Sequence, residues 1–224
     1  MQKVLKKVFD RSLFFIVPYL IILAGSCIVM LIYSKSTIHI WFNSHHDGFW
    51  DVFFSKITFL GDGMFVIGVT VFLLFFRFGN SLLAGITYAV SSLIVQISKR
   101  FIFEGMPRPK LYFEGKYSLH FVDGVDIYLR NSFPSGHSAS VFALFLSLAL
   151  ITRYPFIKIF LLGLAVIVSY SRIYLSQHFL IDVSAGSLIG VLTTLIYYYY
   201  HLKYHQSWMD ESLISIINTR KKEK

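Results

Sequence analysis

Charge is scarce in this chain: Asp, Glu, Lys and Arg make up only 15% of its 224 residues, against 55% hydrophobic residues. Mean hydropathy is +0.62. That balance excludes an ordinary soluble domain and reads as a membrane protein. Acidic groups are scarcer still, 12 against 21 basic ones, for a net charge of +9. Cysteine occurs once, at Cys27, which excludes an internal disulfide. No internal repeat or low-complexity linker divides the chain, so residues 1–224 read as a single membrane-embedded domain.

The long uncharged runs predict an all-α bundle of six transmembrane helices, at about residues 13–33, 63–76, 81–98, 138–152, 159–171 and 183–200. Pro18 is tolerable inside the first, because neighbouring helices re-satisfy the freed carbonyl. The second run is short, but Arg77 can snorkel at its end and apolar residues 57–60 can lengthen it. Leu23-Ala24-Gly25-Ser26-Cys27 has the look of a processed leader, yet the apolar run continues to Tyr33, so it is read as a span with Cys27 buried in it. Lys3, Lys6, Lys7 and Arg11 at one end, and a basic tail over about 201–224 at the other, place both termini in the cytoplasm. The positive charge is thereby assigned to cytoplasmic turns, with no nucleic-acid partner. Residues 39–54, rich in Trp and Phe, read as an interfacial amphipathic segment. The adjacent pair His45-His46 points in two directions on a helix and completes no metal site.

Three polar clusters interrupt the apolar chain, and threading six spans brings all of them to the non-cytoplasmic side. The first runs from Lys99 through Arg108-Pro109, the second is Pro134-Ser135-Gly136-His137, and the third runs from Ser171-Arg172 to His178 and Asp182. A phosphate needs cations or N–H donors around its oxygens, because positioning and charge stabilisation supply most of the rate in phosphoryl transfer. Lys99, Arg108 and Arg172 are suitable cations, and the Ser135 hydroxyl with N–H groups at a helix start can face an anion. His178 and Asp182 lie four residues apart, so a helix there would put both on one face, the carboxylate holding one ring nitrogen and freeing the other to attack. A carboxylate beside a membrane is costly unless partnered, and His178 is the available partner. His137 opens the fourth span, where it can protonate a leaving oxygen.

These residues resemble the three signature motifs of the type 2 phosphatidic acid phosphatase superfamily, which also includes bacterial acid phosphatases and vanadium haloperoxidases. The resemblance covers about residues 99–182 and, with six spans around it, points to the integral-membrane lipid phosphatase branch. It implies a reaction that uses no metal and no cofactor. His178 is the nucleophile that forms a phosphohistidine, Asp182 orients it, and His137 serves as acid and then base. Lys99, Arg108, Ser135, Gly136 and Arg172 bind the phosphate. One feature departs from the pattern: Arg100 through Pro107 separate Lys99 from Arg108, two residues more than is usual. Either the loop bulges so that both cations reach the phosphate, or Lys99 is displaced. Leu60-Gly61-Asp62 also has a familial look.

Residues 103–133 form a long extracytoplasmic loop, mixed in aromatics and charge, of the kind that covers or recognises. A site at the membrane surface favours a substrate with its phosphate in the headgroup zone: phosphatidic acid, phosphatidylglycerol phosphate, a polyprenyl pyrophosphate or a lipid A phosphate. The alternatives are a lipid phosphotransferase, a haloperoxidase, and a non-catalytic lipid-binding or transport protein. The complete trio His137, His178 and Asp182 argues against the last. The expected location is a bacterial inner membrane, with the site facing the periplasm or exterior.

Overall fold

A computed structural model describes residues 1–222 and is all-helical over them. The last two residues of the basic tail lie outside the described part. The helices are α1 (Gln2–Ile32), α2 (Lys35–Ser44), α3 (Gly48–Ile57), α4 (Gly63–Leu73), α5 (Phe78–Ile97), α6 (Pro109–Phe113), α7 (Gly136–Ile151), α8 (Pro155–Tyr174), α9 (Leu180–Lys203) and α10 (Leu213–Lys222). Four of them, α1, α5 with its extension to Ile102, α8 and α9, are long and apolar enough to cross a membrane. A fifth candidate is the bent pair Gly48–Gly61 and Gly63–Leu73, broken by 52°. α7 is apolar but only 16 residues long. This is an integral membrane protein whose spans, by length and composition, number four or five plus that short helix.

The bend has a local cause. Asp62 leaves helical geometry and caps α4, its Oδ1 accepting from the Met64 N–H at 2.8 Å. The preceding residue, Gly61, sits so close to α7 and α8 that an added Cβ would stand 3.0 Å from Val168 Cγ1 and 3.3 Å from His137 Cβ. Asp62 therefore starts a new helix where Gly61 has brought the chain against His137.

α7 is the axis of the bundle, enclosed by α5, α8 and α9 and buried almost throughout. Its closest partner is α9, and small residues make that approach possible. A Cβ on Gly186 would run into the Ser135 carbonyl oxygen, and one on Gly190 into that of Ala139. Where backbones meet this closely, polar side chains can bridge neighbouring helices, as Tyr19 OH with Ser187 Oγ at 3.2 Å and Thr87 Oγ1 with Ser147 Oγ at 3.1 Å.

Several expectations shift. α1 begins at Gln2 rather than residue 13, so the basic first turns are helical too. Cys27, expected to be buried, is exposed on α1, whose contacts with the bundle are made by Phe15 and Tyr19. The aromatic segment 39–54 is split between two helices: Ile38, His39, Asn43 and Phe54 are buried, while Trp41, Phe49 and Trp50 face outward.

Candidate active site

Lys99 follows α5, His137 is in the first turn of α7, Arg172 in the last turn of α8, and Asp182 in the first turn of α9. Helix direction alone puts all four at one end of the bundle. A backbone bond from the Ser135 N–H to the Asp182 carbonyl, 2.9 Å long, ties the starts of α7 and α9 together. The Gly186 crossing holds them in register.

The pair at the centre is built differently from a shared helix face. α9 starts at Leu180, so His178 lies before the helix and only Asp182 is inside it. Asp182 occupies the third helical position, and its Oδ2 reaches back to accept from the Phe179 N–H at 2.9 Å. From there the same oxygen stands 3.4 Å from His178 Nδ1. Both side chains are buried. Ser132 completes the arrangement: its hydroxyl donates to Asp182 Oδ2 at 2.5 Å and lies 3.5 Å from His178 Nδ1. The backbone that presents the imidazole is set by Ser176, with φ of 51°, and by the Gln177 and His178 N–H groups, both donating to the Arg172 carbonyl.

Arg108 is fixed from three sides. Its Nε donates to the Arg130 carbonyl at 3.0 Å, its Nη1 donates to the Gln177 carbonyl and to Gln177 Oε1 at 3.1 Å each, and Tyr128 lies under the guanidinium at 5.2 Å. Nη2 makes no hydrogen bond among the described residues. Gln177, fully buried beside the nucleophile candidate, donates through Nε2 to the Asp126 carbonyl and so joins Arg108, loop and histidine in one network. Arg172 donates from Nη1 to Thr58 Oγ1 at 2.8 Å, and its buried Nε has no partner among the described residues. An unpaired donor on a buried cation is expensive unless something anionic answers it. Ser135 is the cap of α7, its Oγ accepting from the Ser138 hydroxyl at 3.0 Å, and Gly136 is the first helical residue.

Burial first, and then the positive charges of Arg108, Lys99 and Arg172, hold the His178 imidazole well below the ordinary histidine range. It is therefore neutral, the form that can attack. His137 lies within the same field, close enough to Arg172, His178, Arg108 and Lys99 to feel their charge. The spacing question for Lys99 thus has a structural answer. The chain leaves α5 through a π-helical turn over Ser98–Ile102, and the loop beyond it is pinned by Ser132 N–H to Met106 O and Arg108 N–H to Leu129 O. The extra residues are absorbed there, and the charges of Lys99 and Arg108 both act on His178.

Two further residues at this end lie outside the three polar clusters. Ser132 is one. The other is His39 on α2, packed on Phe113 and Phe179, its Nε2 3.2 Å from Ser176 Oγ and its Nδ1 buried without a partner among the described residues. Burial pushes this imidazole down to about 4, so it is a neutral wall behind the His178 loop. The 103–133 loop is docked onto the same wall: Asn43 bonds both backbone groups of His120, and His120 Nε2 meets Asp51 Oδ2 at 3.0 Å.

A helical membrane protein that gathers three cations, a capped helix start and a neutral, carboxylate-backed histidine at one end of its bundle belongs to the class that handles phosphate esters at a bilayer. The chain belongs to the PAP2 superfamily, whose model matches residues 80–206. Among solved structures it is similar to LpxE of Aquifex aeolicus, with 28% identity, a TM-score of 0.65, and 75% of this chain and 94% of that one covered. It is also similar in fold to the first transmembrane PAP2-type phosphatidylglycerolphosphate phosphatase from Bacillus subtilis, at 21% identity and a TM-score of 0.63, over 89% of this chain and 99% of that one. No curated protein matches the chain.

Proposed function

We propose that this protein is a membrane lipid phosphatase that hydrolyses a phosphomonoester or pyrophosphate headgroup in two steps through a phosphohistidine. The observation that carries the reading is the buried His178: its Nδ1 is 3.4 Å from Asp182, and its Nε2 makes no hydrogen bond among the described residues while three cations converge on it. A binding protein has no need of that pairing.

In the first step the lone pair on His178 Nε2 forms a bond to phosphorus as the bond to the leaving oxygen breaks. His137, acting as the imidazolium, gives its proton to that oxygen and is left neutral. In the second, His137 takes a proton from water, the hydroxide displaces His178 from phosphorus, and inorganic phosphate leaves. Asp182 stabilises the charge that His178 acquires, as the buried carboxylate does for histidine in other nucleophilic sites. Lys99, Arg108 and Arg172, with Ser135 and the Gly136 N–H, hold the equatorial oxygens, so charge is met by fixed donors rather than by a metal.

The layout supports a lipid substrate, since the site lies where four helices end, the level at which a bilayer presents its headgroups. Phosphatidic acid, phosphatidylglycerol phosphate, polyprenyl pyrophosphate and lipid A phosphate are the classes to compare. Counting the bent pair as one span and α7 as another gives the six of the proposed topology, with both termini cytoplasmic and the site facing the periplasm or exterior of a bacterial inner membrane. The test is phosphate release by the detergent-purified protein, chelator present, across the four classes, with His178→Asn in parallel. Release from one class, abolished by His178→Asn, is expected. Equal release by the variant would remove His178 from the chemistry, and label moving to a second lipid without free phosphate would make the protein a phosphotransferase.

A further inference from the structure

The opposite end of the bundle holds a cavity of about 560 Å³. It opens between the first turns of α1, the start of α5, and the last turns of α7 and α9. α5 alone, 20 residues at about 1.5 Å each, puts it roughly 30 Å from Lys99, so it is no part of the catalytic site.

Its lining is strongly one-sided in charge. Lys7, Arg11, Arg77, His201 and His205 line it, and no carboxylate does. Asp210, just outside, pairs with both Arg77 and His205. That leaves Lys7 and Arg11, which form no ion pair among the described residues. The Arg11 backbone carbonyl accepts from the buried Lys158 ammonium, so a third cation stands behind the wall. His201 adds a buried Nδ1 with no partner among the described residues. Cations gathered at a membrane end are ordinary when they point outward to water. Here they converge on a concave space whose other walls, Leu83, Leu150 and Ile151, are apolar. Cation, spare ring nitrogen and greasy wall together match the boundary between an anionic headgroup and its chains.

We propose that this cavity is a second, non-catalytic phosphate-binding site that takes the headgroup of an anionic phospholipid from the leaflet on that side. Since α7 and α9 run from its walls to His137 and Asp182, an occupant braces the two helices that carry the catalytic end.

The test is titration of the full-length protein in neutral detergent with phosphatidylglycerol, followed by thermal stability, against phosphatidylcholine and inorganic phosphate as separate arms. Each cation near a headgroup strengthens binding about fivefold, so Lys7→Gln should weaken it about fivefold and Lys7→Gln with Arg11→Gln about 30-fold. Arg108→Gln, at the other end, should leave it unchanged. Competition by inorganic phosphate that is sensitive to Lys7→Gln supports the phosphate chemistry. Phosphatidylcholine binding as tightly as phosphatidylglycerol, a double variant binding like the parent, or loss of binding in Arg108→Gln would each overturn the proposal. Should the double variant not fold, Lys7→Gln alone carries the test, because the Lys7 side chain is exposed and forms no ion pair among the described residues.

Discussion

Ser132→Ala removes one hydroxyl from the site, and the structure says what should follow. That hydroxyl donates to Asp182 Oδ2 at 2.5 Å and lies 3.5 Å from His178 Nδ1, so it fixes the carboxylate against the ring without contacting the phosphate. A hydrogen bond to a charged group is worth about 1.5–3 kcal/mol. Asp182 keeps its second bond, from the Phe179 N–H at 2.9 Å, so the carboxylate stays in place but becomes free to swing. If the whole of that energy supports the transition state, each 1.36 kcal/mol is about tenfold, and kcat falls by about 10- to 150-fold. KM should hardly move, because Lys99, Arg108 and Arg172 are untouched. Steady-state rates on mixed micelles, with the pH profile recorded for both proteins, separate this from a folding defect. Ser132→Thr, which keeps a hydroxyl, should recover most of the rate. A Ser132→Ala enzyme with kcat within about twofold of the parent would refute the positioning role.

Three further outcomes are expected. Arg108→Gln takes away the largest charge that holds His178 below the ordinary histidine range, so the acid limb of kcat/KM should move to higher pH, and an unmoved limb would mean that another group sets it. The same depression makes stability fall with acid: below about pH 6.5 the unfolded chain protonates His178 while the folded chain does not, so the folded state loses stability there, and His178→Asn should flatten that slope in a pH series of melting temperatures. Gly186→Leu drives side chain into the Ser135 carbonyl, so it should destabilise by about 1–3 kcal/mol and lower kcat by parting the starts of α7 and α9; an unchanged melting temperature would contradict the close crossing.

How much of this the chain announces depends on the kind of signal. Spans reveal themselves through apolar length, and α5, α8 and α9 lie within a few residues of the runs 81–98, 159–171 and 183–200. The clusters at Lys99 to Arg108, Pro134 to His137 and Arg172 to Asp182 stand out because polar groups are conspicuous in an apolar background, and the structure does bring them to one end. The bend at Gly61-Asp62 is only half visible, since Asp62 is a local helix cap but the contact of Gly61 with His137 and Val168 is tertiary. Ser132 is invisible for a related reason. It sits in a polar loop without periodicity, where one serine looks like any other, and its importance arises only when Asp182 arrives from 50 residues away. His39 lies within an aromatic segment read as interfacial, and its burial, stacked on Phe113 and edge-on to Phe179, shows that it faces inward.

The same contrast explains why the catalytic loop has so little freedom. His178 is not carried by a helix, so its position rests on what surrounds it: the Arg172 carbonyl beneath, Gln177 locked to Arg108 and Asp126 beside it, Ser176 held by His39 and Asn43 behind, and Ser132 with Asp182 in front. The 103–133 loop supplies Arg108, Asp126 and Ser132 and is itself pinned by the His120–Asp51 contact, whose carboxylate also accepts from the Tyr174 hydroxyl at 2.6 Å. Loop and His178 are therefore one unit, and under the proposed mechanism damage to the distant latch should be felt at phosphorus. Asp51→Asn tests that reasoning. It keeps the size of the side chain but removes the carboxylate that meets His120, at a cost of about 1 kcal/mol for a partly exposed pair. A loosened loop takes Arg108 and Ser132 with it, so KM should rise and kcat fall together. A rise in KM alone would mean that the loop only gathers substrate, and that the histidine is held by α8 and α9 without its help.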